Sequence, residues 1–422
     1  MRLKIAGGVL ANPAGASGRL DILIEDGVIG AVGENVGAAD SVIDASGKTV
    51  FPGFIDLHCH LREPGQEHKE DIASGARAAA KGGFTAVCCM PNTAPPVDNA
   101  SVCALVLEKA KRAVVKVYPV GAATRGLEGR ELTEMGEMAE LGCVAFSDDG
   151  RPIESGGMMR AAMQYAQTFG RFIMAHEEDL TIRGAGVMNE GYHSTILGLP
   201  GISRAAEETM ISRDLILAET YGLRVHIQHV STRGGVRMIR EAKSRGARVT
   251  CESAPHYFSA DDSDCLGYDG RARVNPPLRT KDDVAAVKEG LLDGTLDAIA
   301  TDHAPHHRDE KHVEFALAAP GIIGFETAFS LAVTNLTDNA GMLAKLLSVS
   351  PAAIIGKPGG VIREGAPADI TIADMDAEYV LTEESIVSRS KNTPFIGRKL
   401  RGAVTHTFVD GKLVYEGGKI CK

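Results

Sequence analysis

From residue 51 to about residue 355, short uninterrupted apolar runs alternate with longer stretches whose apolar positions recur every three to four residues. The short runs fall at 51–58, 84–90, 114–120, 143–149, 172–176, 224–229, 248–253 and 297–302. A run of this kind fits a strand buried on both faces, as in a parallel sheet covered by helices. The helical stretches carry their own punctuation: Asn99 caps 100–113, and Ser203 caps 204–221, which stops at Gly222. Eight strands each followed by a helix give an α/β protein with the (β/α)8 (TIM) barrel pattern. A doubly wound open sheet is the alternative, because periodicity does not report closure.

The two ends of the chain are patterned differently. Short strands are expected at 3–10, 21–32 and 41–50, and again at 368–373, 404–409 and 412–415. Asp26-Gly27 and Asp410-Gly411 interrupt apolar runs and read as hairpin turns, since both residues tolerate positive φ. Neither end is long enough for a good core alone. The economical division is one small β-sandwich from residues 1–50 and 356–422, beside a catalytic barrel at 51–355.

Composition narrows the picture. Trp is absent and aromatics are 5% of 422 residues, so the core must come from Val, Ile, Leu, Ala and Met. A net charge of −10 argues against non-specific binding to nucleic acid or an anionic membrane. None of the eight cysteines forms a Cys-x-x-Cys pair, and a chain of this length needs no disulfides. Reduced thiols and a cytoplasmic location are therefore expected. No charged-then-apolar leader and no run of 18 apolar residues is present.

Chemistry gathers where the strands end. The first run closes on His58-Cys59-His60, followed by Arg62. Side chains two apart leave a strand on the same face, so two imidazoles can reach one metal ion, zinc being the default for hydrolysis. Asn92 follows the second run, Asp148-Asp149-Gly150 closes the fourth, His176 the fifth and His229 the sixth. Asn275 follows the seventh, and Asp302, His303 and His306 close the eighth. Taken singly, each has a plainer explanation. His176 could be a hydrogen-bonded core histidine, Asp148-Asp149-Gly150 or Asn92 a turn, and Arg62 a partner for Glu63. His306, His307 and His312 could be solvated loop. Seven strand ends carrying such residues together are not covered by those explanations. Four histidines and two aspartates suffice for two metal ions with a shared ligand.

The set resembles the amidohydrolase superfamily and, within it, the dihydroorotases of the bacterial type I group. The motifs are Phe-Ile-Asp-Leu-His58-Cys-His60-Leu-Arg62-Glu-Pro-Gly, Met-Pro-Asn92-Thr, Phe-Ser-Asp-Asp149-Gly, Ala-His176-Glu-Glu, Gln-His229-Val-Ser-Thr, Asn275-Pro-Pro-Leu-Arg and Thr-Asp302-His-Ala-Pro-His306. The likeness spans nearly the whole chain. It implies the reversible, zinc-dependent closure of N-carbamoyl-L-aspartate to L-dihydroorotate in pyrimidine synthesis. It also implies that His58, His60 and Asp302 hold one zinc, His176 and His229 a second, and that Asp149 and a hydroxide join them. Asp302 is implied as the proton carrier. Arg62, Asn92 and His306, with His60 beside them, are implied at the substrate carboxylate, and Asn275 and the backbone at Pro320 and Gly321 against the ring. A homodimer is implied too, and association with an aspartate transcarbamoylase is left open.

Two departures stand out. Many relatives bridge their metals with a carbamylated lysine, yet no lysine occurs from Val117 to Ala242. Asp149 takes that place, with Asp148 as the fallback. Relatives usually read Pro-Phe-Gly-Ile before Gly324, where this chain has Ala318-Ala-Pro320-Gly321-Ile, and the proline removes a backbone donor. The rival readings are another cyclic amidohydrolase (hydantoinase, dihydropyrimidinase or allantoinase) and a non-catalytic binding subunit.

Overall fold

The structure, a computed structural model, describes residues 2–421. The central unit is built on eight short strands: β1 Phe54–Cys59, β2 Phe84–Cys89, β3 Lys116–Pro119, β4 Phe146–Ser147, β5 Ile173–Ala175, β6 Val225–Ile227, β7 Val249–Ser253 and β8 Ala298–Ile299. Every pairing between successive strands is parallel: β1 with β2, β2 with β3, and β4 through β8 in order. β3 runs on into Gly121–Ala122, which pairs with β4. His303, just past β8, makes a parallel bridge back to Cys59 at the end of β1, and His60 N–H donates to His303 O at 2.9 Å.

The alternation of side chains explains why both faces of these strands are apolar. Ala86 and Cys88, Phe172 and Met174, and Ala298 and Ala300 share one buried cluster with Ile55 and Leu57. Val87, Cys89, Val225 and Ile227 pack in another with helix residues such as Ala76, Ile211 and Ile239. His176 continues the parity of Phe172 and Met174 and therefore leaves its strand on the side of the first cluster.

Several strands are shorter than their apolar runs. The 224–229 run pairs only over Val225–Ile227, the 297–302 run over Ala298–Ile299, and the 143–149 run over Phe146–Ser147. The cause is local. His229 (φ 32°) and Asp302 (φ 44°) take left-handed backbone, which ends the ladder and turns the side chain. Among the helices, Asn99 caps Ala100–Ala110 by accepting from Ser101 and Val102 N–H. Gly222 closes Ala205–Tyr221 in the left-handed conformation. Ser203 does not cap that helix: Arg204 stands at its start and makes no side-chain cap bond.

Strands from the two ends of the chain form two further sheets. One has Val28–Gly33, Asp21–Glu25, Arg2–Ala6 and Ser41–Asp44 in that order. The other has seven strands, with Thr49–Pro52 from the N-terminal part beside Ile370–Val380 and then Lys399–Val409 from the C-terminal part. Ile5, Ile22, Ile24 and Val50 share a buried cluster with Ile362, Ile370, Ile372 and Phe408. Both Asp-Gly turns have positive φ at both residues. The connection between the two long C-terminal strands, residues 381–398, lies on the central unit: Val387 N–H donates to Glu326 (2.8 Å) and Ser388 Oγ to Glu70 (2.5 Å).

Candidate metal centre and substrate pocket

At the C-terminal ends of the strands, six side chains converge. His58 Nε2 lies 3.4 Å from Asp149 Oδ1 and 3.6 Å from Asp302 Oδ1. His60 Nε2 lies 3.2 Å from Asp302 Oδ1 and 3.5 Å from Asp149 Oδ2. His176 Nδ1 is 2.8 Å from His229 Nε2 and 3.4 Å from Asp149 Oδ1. All six are buried. Two ligands each bound at about 2.1 Å in a tetrahedral shell stand about 3.4 Å apart, so these separations suit a shared cation. His58 Nε2 is buried with no hydrogen-bond partner, as expected of a nitrogen kept for a metal. His58, His60 and Asp302 form one possible ligand group, and His58, Asp149 and His229 another. The donor set therefore fits metal, and its imidazole-carboxylate character fits zinc.

The electrostatics point the same way. Burial would lower the His58 imidazole, but Asp149 and Asp302 outweigh it and push its pKa up. Burial would raise the carboxyls of Asp149 and Asp302, yet the surrounding histidines hold both well below the usual range. Two ionised carboxylates among four imidazoles make a pocket that stabilises positive charge.

A further ring of residues aims the ligands. Glu252, on β7, accepts from His58 Nδ1 at 3.0 Å and from His226 Nε2 at 3.1 Å. That bond fixes the His58 tautomer and frees Nε2. Burial would raise Glu252, but hydrogen bonds from His226 and His58 bring it down to about 2. Glu252 was not singled out by the sequence; its only signal is a charge inside a largely buried strand. His226 sits in this supporting ring, its Nδ1 2.9 Å from Thr250 Oγ1. Asp148 is committed elsewhere, accepting from Ala123 and Thr124 N–H at 2.9 Å and from the Thr124 hydroxyl. Asp149→Ala should therefore lower both bound metal and rate, whereas Asp148→Ala should lower metal content less. Metal analysis of the two purified variants checks this; the reverse order would shift the register by one residue.

The substrate-side residues divide. Asn92 orients two of the candidate ligands: its Oδ1 takes His60 Nδ1–H at 2.9 Å and its Nδ2 reaches Asp149 Oδ2 at 3.2 Å. Asn275 donates to Glu178 at 3.1 Å, and its Oδ1 is buried and unpaired. Gly321 N–H is occupied by Arg273 O at 2.9 Å, and Pro320 O accepts from His306 Nε2 at 3.0 Å. Arg62 is not paired with Glu63, which binds Lys109 at 3.0 Å instead. Arg62 is 8% exposed, and its guanidinium donates to Pro305 O at 3.1 Å, with Nη2 3.3 Å from His306 Nε2. Among the described residues no carboxylate lies in ion-pair contact with it. Burial brings its pKa down to about 10, Asp302 and Asp149 opposing. Burial, then the charges of Arg62, Lys69 and Lys311, hold His306 far below the usual imidazole range, so it is neutral.

A family model described as dihydro-orotase-like matches residues 47–235. A dihydroorotase from Geotalea daltonii is 51% identical, the alignment covering 99% of this chain and 100% of that protein. One from Pelotomaculum thermopropionicum is 52% identical over 99% of each. Among solved structures, an L-hydantoinase from Arthrobacter aurescens superposes with a TM-score of 0.89 at 27% identity, covering 100% of this chain and 97% of that one. A dihydropyrimidinase from Brevibacillus agri reaches 0.87 at 22%, covering 100% and 96%, a likeness of fold alone. A fold held in common with these proteins, carrying a buried donor set fit for metal, makes this an amidohydrolase. With about half its residues identical to those relatives along essentially the whole of both chains, the chain belongs to the dihydroorotase family.

Proposed function

We propose that this chain interconverts N-carbamoyl-L-aspartate and L-dihydroorotate at the strand-end cluster, as a zinc enzyme of pyrimidine synthesis. The observation that carries the choice of substrate is Arg62. A buried guanidinium with no carboxylate partner is costly unless an anion meets it, and it stands beside the candidate metal ligands. A ring bearing a carboxylate supplies that anion. The neutral rings of hydantoinases and dihydropyrimidinases leave it unpaired.

In this reading His58, His60, Asp149, His176, His229 and Asp302 would hold zinc, which would supply Lewis acidity toward the ring carbonyl and toward water. The chain's own residues do the rest. Every contact of Asp302 with His58 and His60 is through Oδ1, which leaves Oδ2 to take the proton of the attacking water and pass it to the ring nitrogen as the C–N bond breaks. Arg62 grips the substrate carboxylate through paired N–H donors, and neutral His306 stands beside it without adding a second buried charge. Asn275 Oδ1 is free to accept from a ring N–H. Ring closure retraces these steps.

The framework is taken to be a closed (β/α)8 barrel at 51–355, supported by the His303–Cys59 bridge, with a sandwich from 1–50 and 356–422. A cytoplasmic homodimer belongs to the same proposal, on the family likeness. Among the described residues, no helix is long and apolar enough to cross a membrane. The test is turnover of dihydroorotate, dihydrouracil and allantoin by one purified preparation. Dihydroorotate should be opened far faster than the other two; a preference for a neutral ring would give the site to the hydantoinase reading.

A further inference from the structure

Two buried polar side chains that the proposed mechanism does not use converge on the backbone behind the substrate pocket. Lys311, 3% exposed, ends the short helix Arg308–Lys311. Its Nζ donates to three carbonyls: Arg273 O at 3.0 Å, Ala319 O at 2.7 Å and Gly321 O at 3.0 Å. An ammonium has three N–H donors, and here each has its own acceptor. Asn392, on the 381–398 connection, donates through Nδ2 to Ala304 O (2.9 Å) and Gly321 O (3.0 Å) and accepts His306 N–H through Oδ1 (3.0 Å). Gly321 O therefore receives both side chains.

The segments so tied are close-set. A Cβ on Gly321 would meet Ala304 at 2.8 Å and the His306 ring at 2.9 Å. His306, Lys311 and Asn392 also line a cavity of about 880 Å³, and on that side the polar ties hold the segment where side-chain packing is open.

We propose that Lys311 and Asn392 are positioning residues for substrate recognition, holding His306, at the substrate's carboxylate, and the Pro320–Gly321 backbone, against its ring, at the spacing the substrate requires. The sandwich-forming part of the chain thereby contributes to recognition, since Asn392 lies between its two long strands. The inference rests on the dihydroorotase reading. An arginine cannot replace Lys311, because a planar fork cannot serve three carbonyls set around one nitrogen.

The test is steady-state kinetics with dihydroorotate on Lys311→Met and Asn392→Asp, each with zinc per chain measured. Loss of binding shared by ground and transition states raises KM and spares kcat, so KM should rise about 10- to 100-fold with kcat within about threefold and zinc unchanged. A role confined to folding or metal retention would lower kcat and zinc together at unchanged KM, and that result overturns the proposal. Should Lys311→Met fail to fold, Asn392→Asp carries the same test, because it keeps the His306 contact but loses both donors to Ala304 and Gly321. An inactive wild-type protein would instead remove the reading on which the inference stands.

Discussion

Asp302→Asn is expected to keep substrate binding and lose about 100- to 10,000-fold in kcat, the usual worth of a positioned general base. The substitution is unusually clean. Asp302 holds left-handed backbone, φ 44°, which asparagine tolerates nearly as well as aspartate. The amide keeps an oxygen toward His58 and His60 but cannot take up a proton. Because Asp302 is also a candidate ligand, metal content must be measured alongside rate. A slow variant with bound metal isolates the proton-transfer role. An asparagine variant with kcat near wild type would remove it.

Arg62→Met should lower kcat/KM for dihydroorotate by roughly 2–4 kcal/mol, about 30- to 1,000-fold, through loss of charge-assisted hydrogen bonds in a partly dry site. The cluster of His58, His60 and Asp302 is untouched, so any turnover of dihydrouracil should survive or rise. A surface ion pair would be worth below about 1 kcal/mol and would not distinguish the two rings. The buried position of Arg62 and its contacts with Pro305 O and His306 already set it apart from such a pair. The quantity to follow is the ratio of kcat/KM for the two rings, before and after substitution. An unchanged ratio would take Arg62 out of the pocket.

Much of this was legible in the sequence, for a definite reason. Residues that end strands stand next to unbroken apolar runs, so His58, His60, His176, His229 and Asp302 announce themselves by position. Parity then gives the direction of His176, whereas His229 shares the parity of Val225 and Ile227 and reaches the cluster through its left-handed backbone. What the sequence hides comes from elsewhere. Glu252 lies within a strand, where a buried carboxylate looks like an exception until His58 and His226 are seen on either side. Lys311 belongs to the charged stretch 306–314, whose composition suggests solvent; only the fold shows its ammonium turned inward onto three carbonyls. Asn392 is separated by 86 residues from the His306 whose N–H it accepts, and no local pattern links them. Asn92 shows the limit of assigning one role per residue, since its carboxamide serves His60 and Asp149 as well as facing the pocket. Strand ends were misjudged because apolar character continues past the point where left-handed backbone at His229 and Asp302 breaks the pairing.

The most direct measurement of the central claim is the opening of dihydroorotate by one preparation of the intact protein assayed three ways: as purified, after exhaustive chelation, and after zinc is returned. The account predicts activity with zinc bound, loss of nearly all of it on chelation, and recovery that tracks the zinc bound per chain. Undiminished turnover by the fully chelated protein would contradict it, because the convergence of four histidines and two aspartates at the strand ends would then have no part in the chemistry.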